Sequence, residues 1–196
     1  SNAIIFNDLV LLIFCGRKKI RSSKQNGLTK CTSKIYVPFT SAAAGRKQMT
    51  IRSVTNEFWR AFSPYLYRPE VMDRSATEVA QITSLVSLPP NSAVLDLASG
   101  PCRHSKEFAK QGHRVTAVDA EVNLFQKNID DSSVEFVCAD MRSFVRKDAY
   151  DLVIVLHYSF GIFPDRQDDL LLLRNIHQSL KPGGFLVIEL PNADSI

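Results

Sequence analysis

Between Leu9 and Asn56 the chain has no acidic residue, although that stretch carries ten basic ones: Arg17, Lys18, Lys19, Arg21, Lys24, Lys30, Lys34, Arg46, Lys47 and Arg52. From Glu57 onward the balance reverses to 14 Lys/Arg against 19 Asp/Glu, a net of −5. The overall charge of +4 therefore belongs to the N-terminal stretch. A mildly acidic remainder argues against nucleic acid as its partner. Four cysteines, Cys15, Cys31, Cys102 and Cys138, show no paired spacing. Their arrangement suggests neither a disulfide framework nor a metal site, and it favours a reducing compartment, the cytoplasm. Long hydrophobic runs are lacking as well. The apolar stretch Ile4 to Cys15 is interrupted by Asn7 and Asp8 and is too short to span a bilayer, so no membrane role is expected. There is no internal repeat. Glycine is sparse, with eight in 196 residues, and a single one, Gly100, falls in the stretch that organises the chain.

That stretch is Val94 to His104, Val-Leu-Asp-Leu-Ala-Ser-Gly-Pro-Cys-Arg-His. Its apolar start reads as a buried strand, Ser99-Gly100-Pro101 as a tight turn, and Arg103 to Gln111 as a helix. A strand, a small-residue loop and a helix make the first half of a nucleotide-binding unit: small residues let the backbone approach a ligand, and the helix start offers free N–H groups. Further strands are expected at Arg114–Asp119, Val134–Asp140, Tyr150–Leu156 and Phe185–Leu190. Helices are expected at Glu121–Asn128 and Asp165–Leu180. Strands alternating with helices specify an α/β fold, a doubly wound and mostly parallel sheet with helices on both faces.

Ahead of this unit, Ser1-Asn2-Ala3 reads as the scar of a removed tag. Residues 1–48 read as that scar plus a basic leader outside the catalytic core. The leader is open to three readings: a targeting peptide, non-native sequence before Met49, or a remnant of another domain with Asp8 to Cys15 as a strand. Residues 49–90 form an N-terminal helical cap, with one helix from Glu57 up to Pro64 and another from Asp73 or Ser75 to Leu88. The aromatics up to Tyr67 suit either a packed cap or a lid that turns a tyrosine hydroxyl onto a ligand. Residues 91–196 form the α/β domain.

In an open α/β sheet, ligands bind beyond the carboxyl ends of the strands. Three successive strands place an acid there: Asp96, Asp119 and Asp140. Asp119 can accept both ribose hydroxyls of a nucleoside or cap the next helix, Asp140 can accept from an exocyclic amine, and Asp96 suits a cationic group. A pyrophosphate would gain nothing from Asp96 beside the loop. The ligand that fits is a nucleoside with a positively charged tail.

Residues from about Tyr65 to Asn192 resemble class I S-adenosylmethionine-dependent methyltransferases. Asp96-Leu-Ala-Ser-Gly-Pro-Cys-Arg-His-Ser105 is similar to the family's first motif, usually Asp-Leu-Gly-Cys-Gly-Pro-Gly-Arg-His-Ser. Val118-Asp119 matches its ribose-binding acid, Ala139-Asp-Met-Arg142 its adenine segment, and Leu180-Lys-Pro-Gly-Gly184 the turn before the fifth strand. Ser159-Phe-Gly-Ile-Phe163 and Arg74-Ser-Ala-Thr-Glu-Val79 resemble a branch that methylates small molecules or peptide amines. The resemblance implies S-adenosylmethionine as cofactor, held by Tyr67, Arg74, Asp96, Ala98, Ser99, Gly100, Cys102, Asp119, Ala120, Asp140, Met141, Leu156 and His157, with Arg74 on the cofactor carboxylate. His157 and Tyr158, just past the fourth strand, are candidates to take a proton from an amine acceptor. The partner implied is a small-molecule acceptor.

Two departures from the family pattern stand out. Ala98 and Cys102 replace loop glycines; alanine is nearly harmless if φ is negative there, whereas Cys102 would crowd the cofactor tail or need a strained backbone. The chain also reaches its last residue just past the fifth strand, where the family adds more strands, so the domain reads as C-terminally truncated. That leaves Phe185–Leu190 as an apolar edge, open to two arrangements: association through the edge as a homodimer, or the segment Asp8 to Cys15 folding back onto it. Two other functions remain open on the sequence alone. One is a catalytically weak or silent cofactor-binding domain. The other is a nicotinamide-binding Rossmann protein, against which the single loop glycine and Asp140 argue.

Overall fold

The computed structural model describes residues 12–15, 19–24, 27–30, 56–121, 133–157 and 159–190. Five parallel strands make the centre of the sheet: β4 (Ala93–Leu97), β5 (Arg114–Asp119), β6 (Val134–Cys138), β7 (Tyr150–Val155) and β8 (Leu180–Ile188). They lie in the order β8-β7-β4-β5-β6, so the winding reverses between β4 and β7. This is the class I methyltransferase arrangement, and the carboxyl ends of β4 and β7 form its switch point.

β4 and β7 are buried on both sides, which is why their sequences are almost unbroken apolar runs. Alternate residues go to opposite faces. Val94, Val115, Leu152, Ile154 and Val187 meet Val79, Ile82, Val86 and Phe108 from the helices α3 (Ser75–Val86) and α4 (Arg103–Lys110). Leu95, Leu97, Val153, Val155 and Leu186 meet Leu172 and Ile176 of α5 (Arg166–Ser179). The start of α5 is fixed by Asp165, whose carboxylate accepts the Gln167 N–H at 2.8 Å. α3 stops at Ser87, which turns left-handed at φ 49° ahead of Pro89.

Two further helices precede α3. α1 (Asn56–Leu66) runs past Pro64, where the sequence suggested a stop. Proline removes one helical donor, but the N–H of Tyr67 still reaches the Ser63 carbonyl at 2.9 Å, so the turn closes around it. α2 (Pro69–Asp73) is a single turn that the sequence did not announce; Pro69 supplies the fixed φ of a first helical position. The expected turn at Lys181–Gly184 lies inside β8, whose pairing starts at Leu180 opposite Tyr150 and resumes at Phe185 opposite Leu152. Gly183, at φ 85°, makes that irregularity possible. The helix expected at Glu121–Asn128 falls almost wholly outside the described residues.

β8 is not an edge. β1 (Leu12–Cys15) lies antiparallel on it, pairing Leu12 with Ile188 and Cys15 with Phe185. β2 (Lys19–Lys24) and β3 (Gly27–Lys30) continue the sheet outward. Of the two arrangements open on the sequence, the pairing is the fold-back; residues 8–11 of that segment lie outside the described ones. Among the described residues no helix is long and apolar enough to cross a membrane.

Because β1 satisfies the outer backbone of β8, removing residues 1–48 is expected to uncover a template for strand pairing. Light scattering of the shortened chain should then show larger assemblies than the full chain under the same conditions. A shortened chain of unchanged size and melting temperature would show that β1 protects nothing.

Candidate active site

The loop after β4 is built from left-handed backbone. Ala98 has φ 57°, Gly100 53° and Cys102 61°. Ala98 therefore lacks the harmless negative φ that its methyl group would favour, and it holds a conformation that costs a non-glycine residue about 1–2 kcal/mol. Cys102 is strained likewise, but it does not crowd a ligand. Its side chain is fully buried in the core with Val79, Val86 and Phe108, and its thiol lies 3.6 Å from the Gly100 carbonyl. Burial, and then the Asp96 charge, push that thiol up to about 12, so it is inert.

Gly100 is the loop position where a side chain would be strained by φ and would displace a neighbour. A Cβ there would run into the Tyr67 hydroxyl, which lies across the loop from the end of α1. Burial, and then the neighbouring Asp119 charge, push that hydroxyl up to about 12, so it remains a hydrogen-bond donor.

The three strand-end acids have different surroundings. Asp96 is buried and accepts the Ser105 hydroxyl at 2.5 Å; burial raises its carboxyl above the usual range. Asp119 accepts the N–H of Gly100 and that of Glu121, both at 2.8 Å, which locks the β5 end to the loop. It too is raised by burial. Asp140 is engaged by Arg142 through the backbone N–H and the guanidinium, whose hydrogen bonds hold it below the usual range. Arg142 reaches on to Asp168 at 2.7 Å and covers the Phe163 ring. Met141 is buried beside Asp140, Ser99 and Leu156 are buried, and Ala120 is exposed.

His157 follows β7 with a left-handed φ of 56°, held by the Glu189 carboxylate, which accepts its N–H at 2.7 Å. Its Nε2 meets Nη2 of Arg103. Burial, then the charges of Arg103 and its neighbours, push the imidazole down to about 4. Arg74 is exposed at the start of α3, and its charge contributes to that depression. Tyr158 lies outside the described residues.

Behind His157 is a cluster that the sequence reading missed. Arg103 is buried at 4% exposure. Its Nη1 donates to Glu78 Oε2 at 2.5 Å, to Ser75 Oγ at 3.0 Å and to the Val71 carbonyl at 3.3 Å. His104 shares the Glu78 oxygen at 2.8 Å. Glu78 and Arg103 lie 25 positions apart in the chain; the only signal was an acid on α3 one turn from Arg74, together with an Arg-His pair opening α4.

Residues 94–184 match the family model described as "Methyltransferase domain". Over this stretch the chain resembles class I S-adenosylmethionine-dependent methyltransferases, whose fold it shares. The chain is 30% identical over 133 residues to the cypemycin N-terminal methyltransferase of a Streptomyces species, covering 59% of this chain and 54% of that protein. It is 28% identical over 150 residues to the glycine N-methyltransferase of Rattus norvegicus, covering 67% and 51%. The chain thus spans about half the length of these curated relatives. The crystal structure of a TehB-like SAM-dependent methyltransferase from Corynebacterium glutamicum superposes with a TM-score of 0.51 at 21% identity, over 67% of this chain and 68% of that one, and shares the fold.

Two measurements test this geometry. Ala98→Gly relieves the left-handed strain but adds about 0.4–1 kcal/mol of unfolded-state entropy, so a net gain of up to about 1 kcal/mol is expected in urea unfolding. Cys102→Gly relieves similar strain yet empties a packed core position, so it should destabilise; a loss in both variants would contradict the strain at Ala98.

The second test concerns Glu78. Burial alone would raise this carboxyl, but hydrogen bonds from His104 and Arg103 bring it from 4.5 down to about 2. A depressed carboxyl contributes stability above its unfolded value, and that contribution is lost as pH falls from about 4.5 towards about 2. It is worth about 1–3 kcal/mol. Asp96 and Asp119 are raised and act in the opposite sense, so the Glu78 part is read as the difference between wild type and Glu78→Gln. The gap between the two unfolding curves should narrow across that window; parallel curves would show that Glu78 bears no charge-dependent load.

Proposed function

We propose that this chain transfers a methyl group from S-adenosylmethionine to the amine nitrogen of a small molecule or peptide. The observation that carries the reading is the switch-point loop: a left-handed Gly100, whose φ disfavours a side chain, bound through its N–H to the strand-end acid Asp119. A loop so bare lets a ligand lie against backbone, and Asp119 has lone pairs left for ribose hydroxyls. Asp140 and Met141, at the next strand end, suit the adenine. Asp96, with Tyr67 above the loop, suits the charged methionyl tail, and Arg74 suits its carboxylate. The names of the curated relatives, one acting at a peptide N-terminus and one on glycine, support nitrogen as the acceptor atom.

When bound, the cofactor supplies a methyl group already activated on a sulfonium. What the protein has to add is alignment of the acceptor with the S–CH₃ bond and exclusion of water; positioning of this kind is worth about 7–11 kcal/mol in favourable cases. Tyr67 covers the loop from the cap side, and the turn after β7 borders the acceptor side. No metal ligand is needed for such a transfer.

Calorimetry with S-adenosylhomocysteine tests the cofactor half. Asp119→Ala should weaken binding by about 1–3 kcal/mol, since the ribose groups lose their acceptor and the Gly100 N–H is freed; unchanged affinity would remove Asp119 from the site. Radiolabelled methyl transfer to a panel of amines tests the catalytic half. Tight cofactor binding without turnover on any amine would favour a silent binding domain.

A further inference from the structure

Asp140 is the strand-end acid that is paired with a cation. After β6 the chain turns sharply: the N–H groups of Ser143 and Phe144 reach the Asp140 carbonyl at 3.0 and 3.2 Å. The turn brings the backbone N–H of Arg142 to Asp140 Oδ1 at 2.8 Å, as aspartate side chains commonly do two residues along. The Arg142 side chain then folds back onto the same carboxylate. Its Nε lies 3.0 Å from both oxygens, and its Nη2 donates to Oδ2 at 2.5 Å. Oδ1 is thus met by the backbone N–H and Nε, and Oδ2 by Nε and Nη2. A carboxylate has about four lone-pair sites, so this one is filled by a single residue.

The arginine is itself anchored. Nη1 donates to Asp168 Oδ2 of α5 at 2.7 Å, and the guanidinium lies 4.6 Å over the Phe163 ring. Asn175, also of α5, donates from Nδ2 to the Arg142 carbonyl at 2.6 Å. The turn after β6, the loop after β7 and α5 therefore meet on Arg142. The exocyclic amine of a purine brings neither the charge nor the paired geometry of this guanidinium, so it does not displace it from the carboxylate. The N–H groups that Arg142 keeps on Nη1 and Nη2 are donors, which such an amine cannot accept.

We propose that Arg142 is a specificity-determining residue: by filling the carboxylate of Asp140 it withdraws the acceptor that would select a 6-amino purine, so the nucleoside site takes purines with and without that amine alike. The proposal rests on the cofactor reading above and narrows its base end. A bare carboxylate at this strand end would reward the amine with a charge-assisted hydrogen bond. The filled pair gives no such reward. Met141, buried beside it, and Asp119 at the ribose suit parts of the ligand that both purines share.

Calorimetry on the full chain tests this with two ligands. One is S-adenosylhomocysteine, and the other is its analogue with hydrogen in place of the 6-amino group. The wild type should bind them within about threefold of each other, less than a typical hydrogen bond is worth. A wild-type preference for S-adenosylhomocysteine of about tenfold or more, the worth of a hydrogen bond to a charged group, would overturn the proposal. Arg142→Met bares Asp140, so the same comparison should then favour S-adenosylhomocysteine by about tenfold or more. An unchanged ratio in this variant would also overturn it, since Arg142 would not be what silences the acid. If Arg142→Met does not fold, Arg142→Lys replaces it: the charge stays, the fork is lost, and the ratio should move in the same direction. Failure of the wild type to bind S-adenosylhomocysteine at all would remove the cofactor reading and this proposal with it, whereas strong selection for the amine would remove the proposal alone.

Discussion

A buried guanidinium cannot be left without partners, and in this protein the partners of Arg103 join the cap to the catalytic sheet. The side chain leaves α4 directly after the switch-point loop. It finds a carbonyl of α2, a hydroxyl and a carboxylate of α3, and the imidazole at the end of β7. Removing an ion from water costs several kcal/mol, and the cost is recovered only if each donor has an acceptor. The cluster is therefore satisfied in one arrangement of four elements. Displacing α3 would strand the charge, and so would moving the turn after β7. The apolar contacts between α3 and α4 are less demanding, because Val79, Ile82, Val86 and Phe108 would tolerate small slides that a hydrogen-bonded carboxylate does not. The geometry around the turn after β7 thus depends on electrostatic matching more than on packing.

How much of this was legible in the sequence follows from the range of the interactions involved. Strand ends were readable because burial on both faces of β4 and β7 imposes continuous apolar runs, and their boundaries fell close to the observed ones. The acids at those ends followed directly from the strand assignments. Glu78 and Arg103 were not readable as a pair, since nothing local to either residue records that α3 packs on α4. The conformation of Ala98 was missed for a different reason. Left-handed backbone is announced by glycine, asparagine or aspartate, and an alanine in that state is silent in the sequence. The short helix α2 was hidden behind a proline that reads equally well as a linker.

The leader shows the opposite case. Its basic, acid-free composition says little about structure, yet the short apolar run ending at Cys15 carried a usable signal, because the last parallel strand needed a partner. β8 sends Leu186 and Ile188 to one face and Val187 to the other, as a central strand does. Such a strand is costly to leave with an open backbone. An antiparallel neighbour completes its hydrogen bonding without a crossover helix, and β1 supplies one from within the chain.

The two altered glycines show how the loop keeps its shape without the residues best suited to it. Backbone in the left-handed region persists at a non-glycine residue only when surrounding contacts over-determine it. For Cys102 those contacts are the core: its side chain is anchored among Val79, Val86 and Phe108, so the strain is offset by burial at the same residue. Ala98 has no comparable anchor of its own. It is held by its neighbours, through the Ser99 N–H on the Val118 carbonyl and the Gly100 N–H on Asp119. Those two bonds tie the loop to β5 on both sides of the turn, so the carboxylate that suits the ribose also fixes the backbone the ligand would lie against. Asp119 was expected either to bind a nucleoside or to cap the next helix, which lies almost wholly outside the described residues; here its two oxygens hold the backbone N–H groups of Gly100 and Glu121.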